Sequence, residues 1–155
     1  KEKSLRIIDY MRHSLIFLDI EAADKGEAIS KTVELMKLKG AIKNAQKFVD
    51  AVFERESLGS TAIGKGVALP HARTQEIDQI TIAMTRLQKG VDFGAGDDQP
   101  VNLIFLLGTP LKAVGEYLAV LAKLSKIIRE DKTRKKLLKA KNIREVEAVF
   151  DEVEP

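Results

Sequence analysis

Apolar positions along this chain switch between two periods, and the switches mark out its elements. Leu5, Ile8 and Met11 recur at helical spacing behind Ser4, a residue suited to capping, and predict a helix over 4–13. His13 ends that helix at the surface and is given no role. Residues 15–20 read as a short strand. Asp24 then caps an amphipathic helix to about Lys39, with Ala28, Ile29, Val33, Leu35 and Met36 toward the core and Gly40 as its stop. A second helix runs from about Asn44 through Phe48, Val49, Val52 and Phe53, with Arg55 in its last turn.

Residues 67–69 predict a short buried strand that Pro70 stops, since proline donates no ladder bond and pushes Leu69 into an extended conformation. Residues 80–84 predict another, punctuated by Lys89-Gly90, and 94–98 a polar loop. The almost unbroken apolar run 101–107 reads as a central strand buried on both faces. Leu118, Leu121, Leu124 and Ile127-Ile128 then recur at helical spacing and predict a helix over 113–129. A short helix over 132–140 and a last one over 143–153 close the chain. Strands alternating with enough helices to cover both sheet faces predict an α/β fold. The expectation is a single three-layer α/β/α domain over 1–155, with a mixed, mostly parallel sheet flanked by helices on both faces.

Composition narrows the classes. At 155 residues, 45% hydrophobic and 32% charged, the chain has the makeup of one globular domain. It has no cysteine, so no disulfide framework, thiolate metal site or cysteine nucleophile is available. No apolar run is long enough for a membrane span and no segment reads as a signal peptide, so the expectation is a cytoplasmic protein without direct membrane insertion. The sequence starts at Lys1 without methionine and does not say whether it is whole or cut from something longer.

Charge raises one alternative. Ten Lys or Arg lie between Lys123 and Arg144 against only Glu130 and Asp131, and such a stripe can be a nucleic-acid footprint. Yet the whole chain carries only +3, aromatics are 5%, and the stripe lacks the base-stacking residues that single-strand binders use. The stripe is read as the solvated face of amphipathic helices, with no nucleic acid expected.

The chemistry concentrates in residues 59–73, G-S-T-A-I-G-K-G-V-A-L-P-H-A-R. The first eight residues nearly match a phosphate-binding P-loop, but Gly66 stands where the Mg²⁺-ligating Ser or Thr belongs. A strand follows where a helix must open, so that reading fails. His71, one of two histidines, leaves the strand where α/β folds place their chemistry. By position alone it is either a polar residue satisfied by nearby backbone or a nucleophile, since a neutral imidazole with a pKa of ~6.5 can accept a phosphoryl group.

Arg55-Glu56, Gly59-Ser60-Thr61 and Gly64-x-Gly66-Val67-Ala68-Leu69-Pro70-His71 together resemble the active-site signature of bacterial phosphotransferase-system enzyme IIA, fructose/mannitol class, which includes the nitrogen-regulatory IIA proteins. Leu15 to Asp19, Val91-Asp92-Phe93, Gln99 through Leu107 and Gly115-Glu116-Tyr117-Leu118 are similar to that family too, so the likeness covers roughly 14–153. Residues 1–13 are then a lead-in.

This resemblance implies that His71 is phosphorylated by an HPr-like histidine phosphocarrier and hands the group to a cysteine of a IIB partner in sugar uptake. Alternatively, it acts as a regulatory mark on a partner protein or attached domain. Neither role calls for a metal or cofactor. Arg55 occupies the place of the family's active-site arginine, whose guanidinium can fork onto phosphoryl oxygens; read without the resemblance, it is a helix-terminal cation favoured by the dipole. Ser60 and Thr61 supply either hydrogen bonds to the phosphoryl site or turn and capping bonds, and Arg73 adds a second cation at the rim. Tyr117 stands where the family commonly carries a second histidine; it can donate one hydrogen bond but brings no charge at neutral pH. No sugar and no oligomeric state are legible.

Overall fold

The central strand is the one the longest apolar run predicts. The computed structural model describes residues 5–155, so the expected cap Ser4 lies outside the described residues. Strand β6 (Val101–Thr109) is buried along nearly its whole length. It pairs antiparallel with β5 (Thr81–Val91) on one side and parallel with β3 (Val67–Ala68) and β4 (His71–Arg73) on the other. Strand β1 (Ile16–Ile20) extends the sheet beyond β5, and β2 (Ala62–Gly64) beyond β3. Three of the five pairings are parallel, although the longest ladder, β5 with β6, is antiparallel.

Alternation along β6 divides the core. Leu103, Phe105 and Leu107 face one way, packing with Tyr117, Val120, Leu124, Val146 and Phe150; Ile104 and Leu106 face the other, with Ile29, Met36, Phe48 and Val52. Helices α3 (Val114–Ile128), α4 (Asp131–Lys139) and α5 (Ile143–Val153) cover the first face, and α1 (Lys25–Leu38) and α2 (Ala45–Ser57) the second. This is the expected three-layer α/β/α arrangement. Each buried Leu, Ile or Phe on these faces contributes about 1.5–3 kcal/mol. Asp24, Asn44 and Asn142 cap α1, α2 and α5 by accepting N–H bonds three residues on, and Gly40, at φ +79°, leaves α1 in the left-handed region.

Two expectations need correction, and one strand was unforeseen. The N-terminal stretch is two short 3-10 turns, Ile7–Tyr10 and Arg12–Ser14, and not one helix. The buried Glu154 carboxylate accepts the Ile7 N–H at 2.9 and 3.0 Å, which fixes the entry to the first turn. Strand β5 does not stop before Lys89-Gly90. At Gly90 a Cβ would lie 2.8 Å from that of Pro100, within the irregular register between Arg86 and Val91, so this glycine admits a close cross-strand approach. The strand β2 was not expected at all. It returns on β3 through Gly64, Lys65 and Gly66, all at positive φ.

Strand β3 ends before Pro70 as expected, but pairing with β6 resumes beyond the proline. Val67 and Ala68 oppose Leu103 and Ile104, and His71, Ala72 and Arg73 oppose Leu107, Gly108 and Thr109 in the same register. The Pro70 carbonyl accepts from the Leu107 N–H at 2.9 Å. Proline removes one donor and leaves the alignment intact.

Candidate functional site

His71 opens β4 rather than hanging off a strand's end. Its side chain and that of Arg73 leave the same face of the strand, while Ala72 between them packs into the α1–α2 core. The His71 ring is half-buried, and its Nδ1 lies 2.9 Å from the Leu69 carbonyl oxygen. A carbonyl only accepts, so Nδ1 carries the proton and Nε2 keeps the lone pair. Burial lowers the His71 pKa from 6.5; the bond to Leu69 works against that, the Arg55 charge reinforces it and Glu56 opposes it. The ring is therefore neutral at pH 7 and nucleophilic at Nε2.

The surrounding depression has a volume of about 500 Å³ and is lined by Arg55, Leu58, His71, Arg73 and Tyr117 among others. Arg55 stands in the last turn of α2 as expected, with one guanidinium nitrogen donating to the Gly59 carbonyl at 2.9 Å. Arg73 donates to the Leu111 carbonyl at 2.8 Å. Tyr117, buried in the first turn of α3, sets its ring 5.7 Å from the imidazole at a 48° tilt. Burial raises its pKa, with Arg55 and Arg73 pulling the other way, so its hydroxyl stays protonated and uncharged. Leu58 is 81% exposed at the edge of this depression, and Leu118 in α3 is 57% exposed. Two guanidinium groups, a neutral imidazole and exposed apolar side chains suit an anionic group presented by another protein better than an enclosed small molecule.

Ser60 and Thr61 are placed differently from the other four. The Thr61 N–H and hydroxyl both donate to the Glu56 carboxylate, at 3.0 and 2.6 Å, and Thr61 is buried. The Ser60 hydroxyl donates to the Phe93 carbonyl at 2.5 Å and accepts from the Ala62 N–H. Both shape the loop beside Arg55, the turn-forming alternative left open by the sequence.

Three residues at this site escaped sequence reasoning. Glu56 and Lys25, paired at 3.2 Å, lie beneath the loop. Gly108, opposite Ala72, is the third: a Cβ there would fall inside the Ile77 side chain and 3.1 Å from the Phe48 ring. The signal for Glu56 was its place beside Arg55 in the signature; for Gly108 it was a glycine directly following the apolar run 101–107. Among the described residues no cluster of His, Cys, Asp or Glu is arranged to hold a metal ion, and no helix is long and apolar enough to cross a membrane.

Comparison with known proteins places this geometry. Residues 9–153 match the family model for the "Phosphoenolpyruvate-dependent sugar phosphotransferase system, EIIA 2". The fructose-specific EIIA component of Haloferax volcanii is 34% identical over 139 residues, 90% of this chain and 90% of its own length. The fructose-specific EIIABC component of Bacillus subtilis is 33% identical over 138 residues, 89% of this chain, which spans only 22% of that longer protein. Among solved structures, the nitrogen regulatory protein IIA-Ntr of Neisseria meningitidis superposes with a TM-score of 0.85 at 34% identity, covering 92% of this chain and 97% of the other. The chain belongs to the EIIA 2 family of the phosphoenolpyruvate-dependent sugar phosphotransferase system.

Proposed function

We propose that this protein is a phosphohistidine carrier: His71 accepts a phosphoryl group on Nε2 from an HPr-like phosphocarrier and passes it to a IIB partner in sugar uptake. The observation that carries this reading is the Nδ1–H bond to the Leu69 carbonyl, which aims a bare Nε2 into a depression holding two guanidinium groups. In the accepting step the donor's N–P bond breaks as the bond from Nε2 to phosphorus forms, and the electron pair returns to the donor's imidazole. No proton needs to move. The His71 ring, still protonated at Nδ1, becomes cationic while phosphorylated, which makes it a good leaving group for the next acceptor.

Phosphoryl transfer asks the protein for alignment and positive charge on the equatorial oxygens. Leu69 supplies the first and Arg55 the second, with Arg73 at the rim. Tyr117 packs beside the imidazole, offers at most a hydroxyl bond, and limits the ring's rotation. We assign the activity to residues 14–153 and place it in the cytoplasm. The IIB partner is supported by the name of the Bacillus subtilis relative, an EIIABC component.

A regulatory role is the second reading, favoured by the likeness to the Neisseria meningitidis nitrogen regulatory IIA-Ntr. Phosphorylation of His71 would then set the affinity for a regulated protein or attached domain. Incubation with phosphoenolpyruvate, enzyme I and HPr tests both. The expected result is one acid-labile, base-stable label, absent from His71→Ala; label surviving on that variant overturns the assignment. Onward transfer to a IIB cysteine selects the transport reading, and stable label with IIB domains present selects the regulatory one.

A further inference from the structure

Glu56 follows Arg55 on the same turn of α2 but points the other way. Successive helical residues diverge by about 100°, so the turn that sends Arg55 to the depression sends Glu56 inward, where it is 6% exposed. A carboxylate out of water needs donors in water's place. It has three: the Thr61 N–H at 3.0 Å, the Thr61 hydroxyl at 2.6 Å and the Lys25 ammonium at 3.2 Å.

The loop is tied from its other side as well. Ser60 donates to the Phe93 carbonyl, and the Lys25 ammonium lies 5.5 Å from the Phe93 ring centre. Residues 60 and 61 are thus held between α1, α2 and the segment after β5. Gly59 immediately precedes them, and its carbonyl accepts from one Arg55 guanidinium nitrogen at 2.9 Å. A guanidinium has five donors in a rigid fork. Using one on Gly59 restrains the group and leaves others for incoming oxygens.

We propose that Glu56 is the positioning residue for Arg55: by clamping Thr61 it fixes the 59–61 loop, and the Gly59 carbonyl then sets the direction of the guanidinium. The inference rests on the phosphoryl-transfer reading of the site. Glu56 touches no phosphoryl oxygen in this scheme; it acts through Thr61 and Gly59. Pure packing by Glu56 would make its loss independent of Arg55, whereas positioning makes the two effects overlap.

The test uses the full chain and the variants Glu56→Gln, Thr61→Val and Thr61→Ser, each with and without Arg55→Ala. The order of the Arg55 Nε–H, read by ¹⁵N relaxation in unphosphorylated protein, should match wild type in Thr61→Ser and collapse in Glu56→Gln and Thr61→Val. Transfer from phosphorylated HPr should slow about tenfold in Glu56→Gln and roughly a hundredfold in Arg55→Ala. Adding Glu56→Gln to Arg55→Ala should cost no more than about threefold beyond Arg55→Ala alone. An ordered Arg55 in both clamp variants, or losses that multiply in full, overturns the proposal. Should Glu56→Gln fail to fold, Thr61→Val, which keeps the carboxylate and its lysine, carries the test alone. A wild type that takes no label from any HPr while Arg55 still loses order in Thr61→Val leaves the positioning standing and removes the phosphoryl-transfer reading.

Discussion

His71 donates its Nδ1–H to the carbonyl of Leu69, two residues earlier and across Pro70, at 2.9 Å. This short-range bond does the work often given to a carboxylate partner: it selects the tautomer and orients the ring. A carbonyl carries no full charge, so it raises the basicity of the imidazole only modestly, and burial keeps the pKa below its ordinary value.

The first prediction follows from that direction. Transfer should be flat around pH 7 and fall only below pH 6.5, as His71 begins to protonate; an NMR titration should give His71 a pKa under 6.5. In Arg55→Ala that pKa should rise, because one of the causes lowering it is removed. The stability effect has a definite sign. A folded-state pKa below the unfolded one means the unfolded chain binds more protons, so this contribution is complete above pH 6.5 and is lost as pH falls through the folded pKa. Urea midpoints of wild type and His71→Ala should therefore converge or cross as pH drops toward 5; a His71 pKa above 6.5 sinks this account.

Arg55 should matter more than any other neighbour of the imidazole. Arg55→Ala is expected to slow phosphorylation by ~10²-fold, the scale seen when a preorganised charge donor is removed. Arg55→Lys should recover only part, since an ammonium offers no planar fork. Single-turnover kinetics with phosphorylated HPr would show it, and a loss under threefold would return Arg55 to a helix-terminal cation.

Tyr117 should be a lesser contributor. A neutral hydroxyl bond is worth about 1 kcal/mol net, so Tyr117→Phe is expected to cost less than about tenfold in rate. Tyr117→His should be tolerated and should transfer at least as fast as wild type. A larger loss in Tyr117→Phe would mean that the hydroxyl reaches the phosphoryl group directly.

Gly108 links the site to the core. In Gly108→Ala the new methyl must displace Ile77 and press on Phe48, both buried, on the far side of the sheet from His71. Overpacking of this kind costs about 1–3 kcal/mol. Denaturant midpoints should fall accordingly, and labelling of His71 should slow even where the protein remains folded, because Gly108 pairs with Ala72, the residue after it. Unchanged stability would show that Ile77 has room to move aside.

What was legible in the sequence is what local pattern and periodicity dictate. The run 101–107 reads as a strand buried on both faces, and Asp24 and Asn44 stand where the first two helices start, each with a bond reaching three residues ahead. The family resemblance singled out His71, Arg55 and Tyr117, with Arg73 added as a cation at the rim, and the four line one depression. What stayed hidden depends on approach between distant segments. Gly90 read as punctuation because the Pro100 side chain that presses on it is not local, and a three-residue strand such as β2 has no period of its own. Ser60 and Thr61 looked equally suited to phosphate or turn; only the position of Glu56 and Phe93 decides where their hydroxyl protons go.

The unbroken register across Pro70 has a mechanical consequence. The Leu107 amide, bonded to the Pro70 carbonyl, lies on the most deeply buried strand and should exchange its hydrogen only when the whole molecule opens. His71 directly follows Pro70, so its backbone shares the stiffness of the last part of the protein to come apart. On the proposed reading a docking partner meets a target whose coordinates are already settled, and whatever must adapt in the encounter is the exposed apolar side chains around it, Leu58 among them.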